Sequence, residues 1–199
     1  MATNKEKVLE LVRKAGVFRS RDLAAHGIPR TALHRLEQTG QVRRISRGLY
    51  ELAEADPTEH LDLMEVCKRV PRGIVCLVSA LNFHEMGTQM PYEVWMAIDV
   101  KAHRPKLDRK GVRFVRFSGN ALTWGVETHQ VQGVRIRVTS PAKTVADCFK
   151  YRNKIGTDVA VEALKEFVLK RKGKRDELWR AAEVCRVTNL IRTYIEVIA

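Results

Sequence analysis

The apolar residues between positions 20 and 40 have the spacing of two short helices joined by a tight turn. Ser20 can cap the first helix, because its hydroxyl would accept a hydrogen bond from a free backbone N–H. Gly27 ends this helix, since glycine adopts the left-handed conformation without steric cost. Pro29 suits the first turn of the second helix, where a backbone N–H has no partner to lose. The buried side of the first helix is predicted to consist of Leu23 and Ala24.

The second predicted helix, which ends at Gly40, has an apolar and a polar face. The residues on the apolar face are Ala32, Leu33 and Leu36. At about 100° per residue the opposite face carries Thr31, His34 and Gln38, with Arg30 and Arg35 at its flanks. Guanidinium and amide groups pair with base edges in a DNA major groove, and Thr and Arg also reach phosphates. We therefore expect this face to contact DNA.

Residues 41–52 follow as a predicted β-hairpin, with its turn at Ser46-Arg47-Gly48. Around this turn lie three arginines: Arg43, Arg44 and Arg47. An opening helix over residues 4–15 would complete the core. This order predicts a winged helix-turn-helix domain over residues 1–53, with the hairpin arginines on the DNA backbone or in the minor groove. Two alternatives stay open: some winged helices bind only protein, and any single arginine can be a solvated surface residue.

The acidic segment Glu54–Glu59, which contains Pro57, is the predicted domain boundary. Thr58 can cap a following helix through Cys67. Beyond it, the patterns mix strands with helices. The predicted strands are 94–100 and 112–117 and a hairpin at 126–138 that turns at Gln132-Gly133; the predicted helices are 79–86, 140–152, one from 158 and one or two over 176–198. The second domain, residues 58–199, is therefore mixed α+β, and so is the whole chain.

The chain of 199 residues has a formal net charge of +13 and a sequence pI near 9.9. Residues 1–52 hold 11 Lys and Arg against 5 Asp and Glu, a net +6. Such a balance favours a polyanionic partner. A possible second basic surface for nucleic acid consists of Lys101, Arg104, Lys106, Arg109 and Lys110, with further cations over residues 165–175. The alternative for these residues is an ordinary solvated face.

No apolar run reaches the roughly 20 residues that span a bilayer, and residues 1–7 do not resemble a signal peptide. The four cysteines form no C-x-x-C pair, so we expect buried reduced thiols, a cytoplasmic protein and no zinc site. They are Cys67, Cys76, Cys148 and Cys185. The sequence gives no reason to expect a cofactor.

Two groups of residues could support enzyme chemistry. Asp99-x-Lys101 with Glu85 or Glu93 could hold Mg²⁺ for DNA hydrolysis, but so short a motif arises readily by chance. Ser140 and Lys143 could form a nucleophile pair. The structural interpretation explains more, because Ser140 caps a helix that begins at Pro141, with Asp147 on its polar side. We therefore expect no catalytic residues.

Four segments carry a resemblance to a known family. They are RISRGLY at 44–50, VSALNFHEMGTQMPYEVWMAI at 78–98, VRFSGNALTWGVE at 115–127 and SPAKTVADCFKYRNKIG at 140–156. Together they resemble the AbiEi-type antitoxins, predicted transcriptional regulators of viral-defence systems. The resemblance implies a winged helix that represses its own operon. It also implies a second domain that counters a nucleotidyltransferase-like toxin without a stable complex, as in type IV toxin–antitoxin and abortive infection systems.

The sequence therefore predicts a DNA-binding transcriptional repressor that acts on its own operon promoter and serves as an antitoxin. The alternatives are a stand-alone regulator without a toxin partner and a Mg²⁺-dependent nuclease.

Overall fold

The computed structural model describes residues 3–55, 60–107 and 111–198. It contains helices and two β-sheets, so the predicted α+β class is confirmed. The chain divides into two compact units, Met1–Arg69 with Gln130–Arg135 and Val70–His129 with Ile136–Ala199. Pro57 and Thr58, at the predicted boundary, lie outside the described residues. The functional division into domains 1–53 and 58–199 stays a prediction.

The first unit begins with helix α1, Asn4–Ala15, which is closed by a reciprocal cap: the Thr3 hydroxyl accepts from the Glu6 N–H while the Glu6 carboxylate accepts from the Thr3 N–H. The elements that follow are β1, Phe18–Arg19; a 3₁₀ helix, Ser20–His26; α2, Arg30–Gln38; β2, Val42–Ser46; β3, Leu49–Leu52; and α3, Leu61–Arg69. The order of helices and hairpin is compatible with a winged helix-turn-helix.

The strands of the first unit form a three-stranded antiparallel sheet in the order β1-β3-β2. Its helices and sheet enclose one apolar core: Val8, Val12, Phe18, Leu23, Ile28, Leu33, Leu36 and Val42. Leu33 and Leu36 come from the predicted apolar face of α2, and Ala32 packs against them half-buried. This packing leaves the opposite face of α2 exposed to solvent.

The first predicted helix is present as a 3₁₀ helix of seven residues, but two of its details are wrong. Ser20 does not cap it; instead, the Ser20 N–H donates to the carbonyl of Gly48 at 3.0 Å, because this segment is held by the hairpin. Ala24 is exposed, since only Leu23 of this helix reaches the core. Gly27 ends the helix in the left-handed region, as predicted, with φ of 63°.

A five-stranded mixed sheet has the order β6-β5-β4-β8-β7, and all of it except the β7–β8 turn at Gln130–Arg135 belongs to the second unit. Its strands are β4, Ile74–Val75; β5, Val94–Asp99; β6, Val112–Phe117; β7, Val126–Val131; and β8, Val134–Thr139. Strand β5 is parallel to β6 and antiparallel to β4, which is parallel to β8. The predicted turn between β7 and β8 is confirmed, with φ of 45° at Gln132 and 76° at Gly133.

The helices of the second unit are α4, Leu77–Phe83; α5, Asn120–Thr123; α6, Pro141–Lys150; α7, Arg152–Ile155; α8, Thr157–Leu169; α9, Arg175–Cys185; and α10, Thr188–Ile198. Helix α6 contacts α4, α7, α8, α9 and α10. Among the described residues, no helix has both the length and the apolar character needed to cross a membrane.

The predicted position of Asp147 on a polar side of α6 is wrong. Every residue from Ala142 to Phe149 is buried, so this part of the helix has no polar side. Asp147 instead accepts two hydrogen bonds from the Lys143 ammonium, at 2.5 and 2.6 Å. A charged residue can occupy this core position because its partner lies one helical turn away. The cap is as predicted, since the Ser140 hydroxyl accepts from the Lys143 N–H.

Candidate DNA-binding surface

The exposed face of α2 carries the five side chains that the sequence assigns to base contact. Thr31, His34 and Gln38 lie on that face, and the flanking Arg30 and Arg35 are also exposed. The helix therefore brings these five residues together, although their contact with DNA stays a prediction.

The imidazole of His34 is held from two sides on this face. The Gln38 side-chain amide donates to His34 Nε2 at 3.2 Å, and Glu37 Oε2 lies 3.5 Å from His34 Nδ1. These partners at i+4 and i+3 are the positions that a helix places beside a given side chain. The ring is thus oriented before any ligand binds, with its side chain still 67% exposed.

A cleft of about 440 Å³ runs beside this face, lined by the start of α1 and by residues of α2 and its two flanks, from Pro29 to Thr39. Lys5 and Arg35 contribute cations to its lining, and Thr31 contributes a hydroxyl. Lys5 is absent from the residues predicted to contact DNA. No local sequence pattern places Lys5 near the exposed face of α2, because that proximity depends on how α1 packs against α2. Lys5 adds a cation beside the face of α2 that is predicted to contact DNA.

The three arginines of the β2–β3 hairpin differ in their surroundings. The Arg43 guanidinium lies 2.5 Å from the carboxylate of Glu51, whose side chain is only 6% exposed. Arg44 is exposed and donates to the Ser46 carbonyl at 3.3 Å. Arg47, also exposed, lies in the turn beside Gly48, where φ is 75°. The charge of Arg43 is therefore partly neutralised by Glu51, and all three arginines stay predicted DNA-backbone or minor-groove contacts.

Arg69, at the end of α3, holds the hairpin turn in place. Its guanidinium donates to the Ser46 hydroxyl at 2.9 Å and to the Arg47 carbonyl at 3.2 Å. Glu65, one helical turn earlier, accepts from Arg69 Nε at 3.2 Å and is itself buried. Sequence reasoning missed Arg69, because these contacts join residues 22 and 23 positions apart. The residue orients a hairpin that it does not belong to.

The possible second basic surface is exposed at Lys101, Arg104 and Lys106, whereas Arg109 and Lys110 lie outside the described residues. The Arg104 guanidinium lies 5.6 Å from the ring centroid of the half-buried Phe114. In the other basic segment, Lys170 pairs with Glu166 at 2.8 Å. Several of these cations thus have partners of their own, and their use in nucleic-acid binding stays a prediction.

The carboxylates considered for Mg²⁺ have other contacts. Asp99 accepts from the Lys101 N–H at 2.7 Å, and Glu93 pairs with Arg113 at 2.7 Å. Glu93 and Asp99 flank opposite ends of β5, and Glu85 is 90% exposed. In residues 3–55, 60–107 and 111–198, no three His, Cys, Asp or Glu side chains are grouped so that they could hold a metal ion.

The four cysteines are free and buried, as predicted. Burial raises the pKa of the Cys67 and Cys185 thiols to about 12, so both stay protonated at neutral pH. A protonated, buried thiol is neither a good nucleophile nor a metal ligand.

The order of helices and hairpin and the exposed basic face of α2 are compatible with a winged helix-turn-helix. Residues 6–53 match the family model described as "Transcriptional regulator, AbiEi antitoxin". The predicted resemblance to the AbiEi family is thereby confirmed over these residues. The segments from Val78 onwards that also carry the resemblance lie outside the matched residues.

A solved structure resembles nearly the whole chain. The crystal structure of the RV2827C protein from Mycobacterium tuberculosis is similar with a TM-score of 0.62 and 15% sequence identity. The similarity covers 98% of this chain and 78% of that chain. At this identity it shows a shared fold and nothing about activity. No curated protein sequence matches the chain.

Proposed function

We propose that the protein is a DNA-binding transcriptional repressor that acts on the promoter of its own operon in the cytoplasm. One observation carries the proposal: within the AbiEi-type domain, α2 presents Arg30, Thr31, His34, Arg35 and Gln38 on one exposed face. In this proposal α2 enters the major groove, where Arg35 and the amide of Gln38 pair with base edges. The hairpin then lies along the backbone, where Arg44 and Arg47 contact phosphates.

A gel-shift series on the region upstream of the gene tests the recognition helix. A base-reading arginine contributes about 1–3 kcal/mol of discrimination, so replacing Arg35 and His34 together by Ala should weaken specific binding at least about 30-fold. Arg13→Ala, at an exposed position in the last turn of α1, is the matched control and should leave specificity intact. Undiminished specific binding by the double variant would refute the assignment of α2 as the helix that contacts the bases.

The hairpin arginines should act differently from the helix. Removing a cation that neutralises one phosphate reduces the slope of log affinity against log salt by about 0.9, whatever the DNA sequence. Replacing both Arg44 and Arg47 by Ala should therefore reduce this slope by about 1.8, twice the value for one contact, while the preferred DNA sequence stays the same. A change of preferred sequence would contradict backbone contact.

We further propose that the protein is the antitoxin of a type IV toxin–antitoxin system and counters a nucleotidyltransferase-like toxin without a stable complex. The family match of the regulator domain supports this. Co-expression of the full chain with the neighbouring operon gene tests it, and restored growth is the expected result. Toxicity without rescue by the full chain would leave a stand-alone regulator.

The proposed role is one of binding and not of catalysis. Incubation with plasmid and Mg²⁺, comparing the parent chain with Asp99→Ala, tests this directly. Cleavage that disappears in the variant would replace the repressor proposal with a nuclease.

A further inference from the structure

The second unit contains a polar cleft of about 760 Å³ that the repressor proposal does not use. The cleft is lined by residues 118–121, by residues 183–187 at the end of α9, and by Lys150 and Arg152. A smaller cleft of about 450 Å³ shares Arg152 and Arg186 and continues along the first turn of α10. Small-molecule sites typically enclose about 300–1,000 Å³, so the larger cleft alone can hold a nucleotide-sized ligand.

The charge in this cleft is strongly unbalanced. Lys150, Arg152 and Arg186 contribute three cations to its lining, against the single carboxylate of Glu183. Within the part of the chain that the structure describes, none of the three forms an ion pair. Arg152 donates one guanidinium N–H to the carbonyl of Phe149 at 3.0 Å, which leaves its other donors available. Like charges gathered in one concave site repel each other, and a bound anion would relieve that repulsion.

The backbone of Arg186 is a second, independent observation. Arg186 ends α9 in the left-handed conformation, with φ of 60° and ψ of 44°. Glycine is the usual residue at this place because a side chain with a Cβ is strained there. An arginine at this position costs stability that a glycine would not cost. The same residue is exposed and contributes its cation to the lining of both clefts.

We propose that this cleft binds a phosphate-bearing small molecule of nucleotide size, with its phosphates on Lys150, Arg152 and Arg186. Guanidinium groups recognise phosphate oxygens through paired, charge-assisted N–H donors, and a lysine ammonium adds a point charge. Ser118 and Asn120 also line the cleft, and their hydroxyl and amide groups offer donors and acceptors to the sugar or base. None of these residues belongs to the predicted DNA-contacting set, so the site would give the second unit a ligand of its own.

Titration of the full chain with ATP and, separately, with inorganic pyrophosphate tests the site by calorimetry. The expected result is saturable binding with one molecule per chain. At probe concentrations about 100-fold above Kd, the melting temperature should rise by about 5–10 °C. Failure of both probes to saturate would overturn the proposal.

Three variants separate binding from folding. Arg186→Gly should weaken probe binding at least about tenfold while the melting temperature of the free protein stays equal or rises, because glycine relieves the strained backbone. Glu183→Gln should strengthen binding, since it removes a negative charge that opposes the anion. Arg180→Gln is the matched control: Arg180 is an exposed cation of α9 outside the cleft lining, and its loss should change neither quantity.

Unchanged affinity in Arg186→Gly would refute the assignment of Arg186 even if a probe binds. Saturable binding of a 20-nucleotide RNA, but of neither small probe, would overturn the proposal in favour of a nucleic-acid surface. Operator binding should be measured on the same variants. Arg186→Gly and Glu183→Gln should leave it unchanged, because neither residue lies in α2 or the hairpin. Failure of the ligand proposal can thus be told apart from failure of the repressor proposal.

Discussion

The buried pair of Lys143 and Asp147 makes a sharp prediction about stability. Their side chains are 0% and 1% exposed. The Lys143 ammonium also lies 4.8 Å from the ring centroid of Phe117, and the Cys185 thiol donates to the Asp147 carboxylate at 3.2 Å. Burial raises the pKa of the Asp147 carboxyl, and the neighbouring Lys143 opposes that rise. Each charge is therefore tolerated in the core only through the other.

Replacing one partner should destabilise the second unit far more than replacing both. Lys143→Met leaves a buried carboxyl without its cation, which costs about 3–5 kcal/mol. Lys143→Met with Asp147→Leu removes both charges at similar volume, and such exchanges are neutral or stabilising by about 1–4 kcal/mol. Taking about 4 kcal/mol for the single variant and an m-value of about 2 kcal/mol per molar urea, its unfolding midpoint should fall by about 2 M.

Tryptophan fluorescence during urea unfolding is a suitable assay, because Trp95, Trp124 and Trp179 all belong to the second unit. Lys165→Met, at an exposed position of α8, controls for the loss of a lysine. A single variant that loses less than about 1 kcal/mol would refute the reasoning. So would a double variant as unstable as Lys143→Met, since the destabilisation would then come from packing and not from an unpaired charge.

Two further predictions concern the hairpin and the pH dependence of stability. Arg69→Ala removes the contacts to Ser46 and Arg47, so the hairpin turn should lose its fixed orientation. Affinity for operator DNA, measured by fluorescence anisotropy, should then fall about 3- to 10-fold, while the circular dichroism spectrum stays unchanged. Unchanged affinity would contradict the role of Arg69 in orienting the hairpin. His84 donates to the Thr139 carbonyl at 2.7 Å, and burial lowers the pKa of His84 from 6.5. The neutral imidazole therefore contributes stability to the fold above pH 6.5. This contribution is lost as the pH falls through the lowered pKa, because the buried ring must then take up a proton. His84→Gln should therefore lose less urea stability than the parent between pH 7.5 and 5.5, whereas parallel curves would exclude His84 as the source.

Elements with a local pattern were predictable from the sequence. The α2 face follows from helical periodicity, the turn at Gln132-Gly133 from glycine chemistry, and the start of α6 from Ser140-Pro141. In each case the deciding interactions lie within a few residues along the chain. The same property made the exposed positions of α2 predictable, because burying Leu33 and Leu36 determines which residues face outward.

The features that could not be predicted depend on contacts between residues that are far apart along the chain. Strand β1 has only two residues, and its pairing with β3 joins Phe18 to Tyr50. Asp147 reads as a surface residue until α9 brings Cys185 against it, and Arg69 has no visible role until its contacts to the hairpin turn are known. The cleft around Arg186 likewise combines residues from three separate parts of the chain. Such sites require the fold before they can be recognised.

The enclosure of α6 has a consequence for hydrogen exchange. Eight successive residues of this helix are buried, and five of the described helices contact it. Its amide protons can therefore meet solvent only when the surrounding helices separate, and local fraying does not suffice. The slowest exchange rates along Ala142–Phe149 would then measure the free energy of unfolding of the whole second unit. A single peptide from α6, followed by mass spectrometry, would report how strongly a ligand, a variant or a partner stabilises that unit.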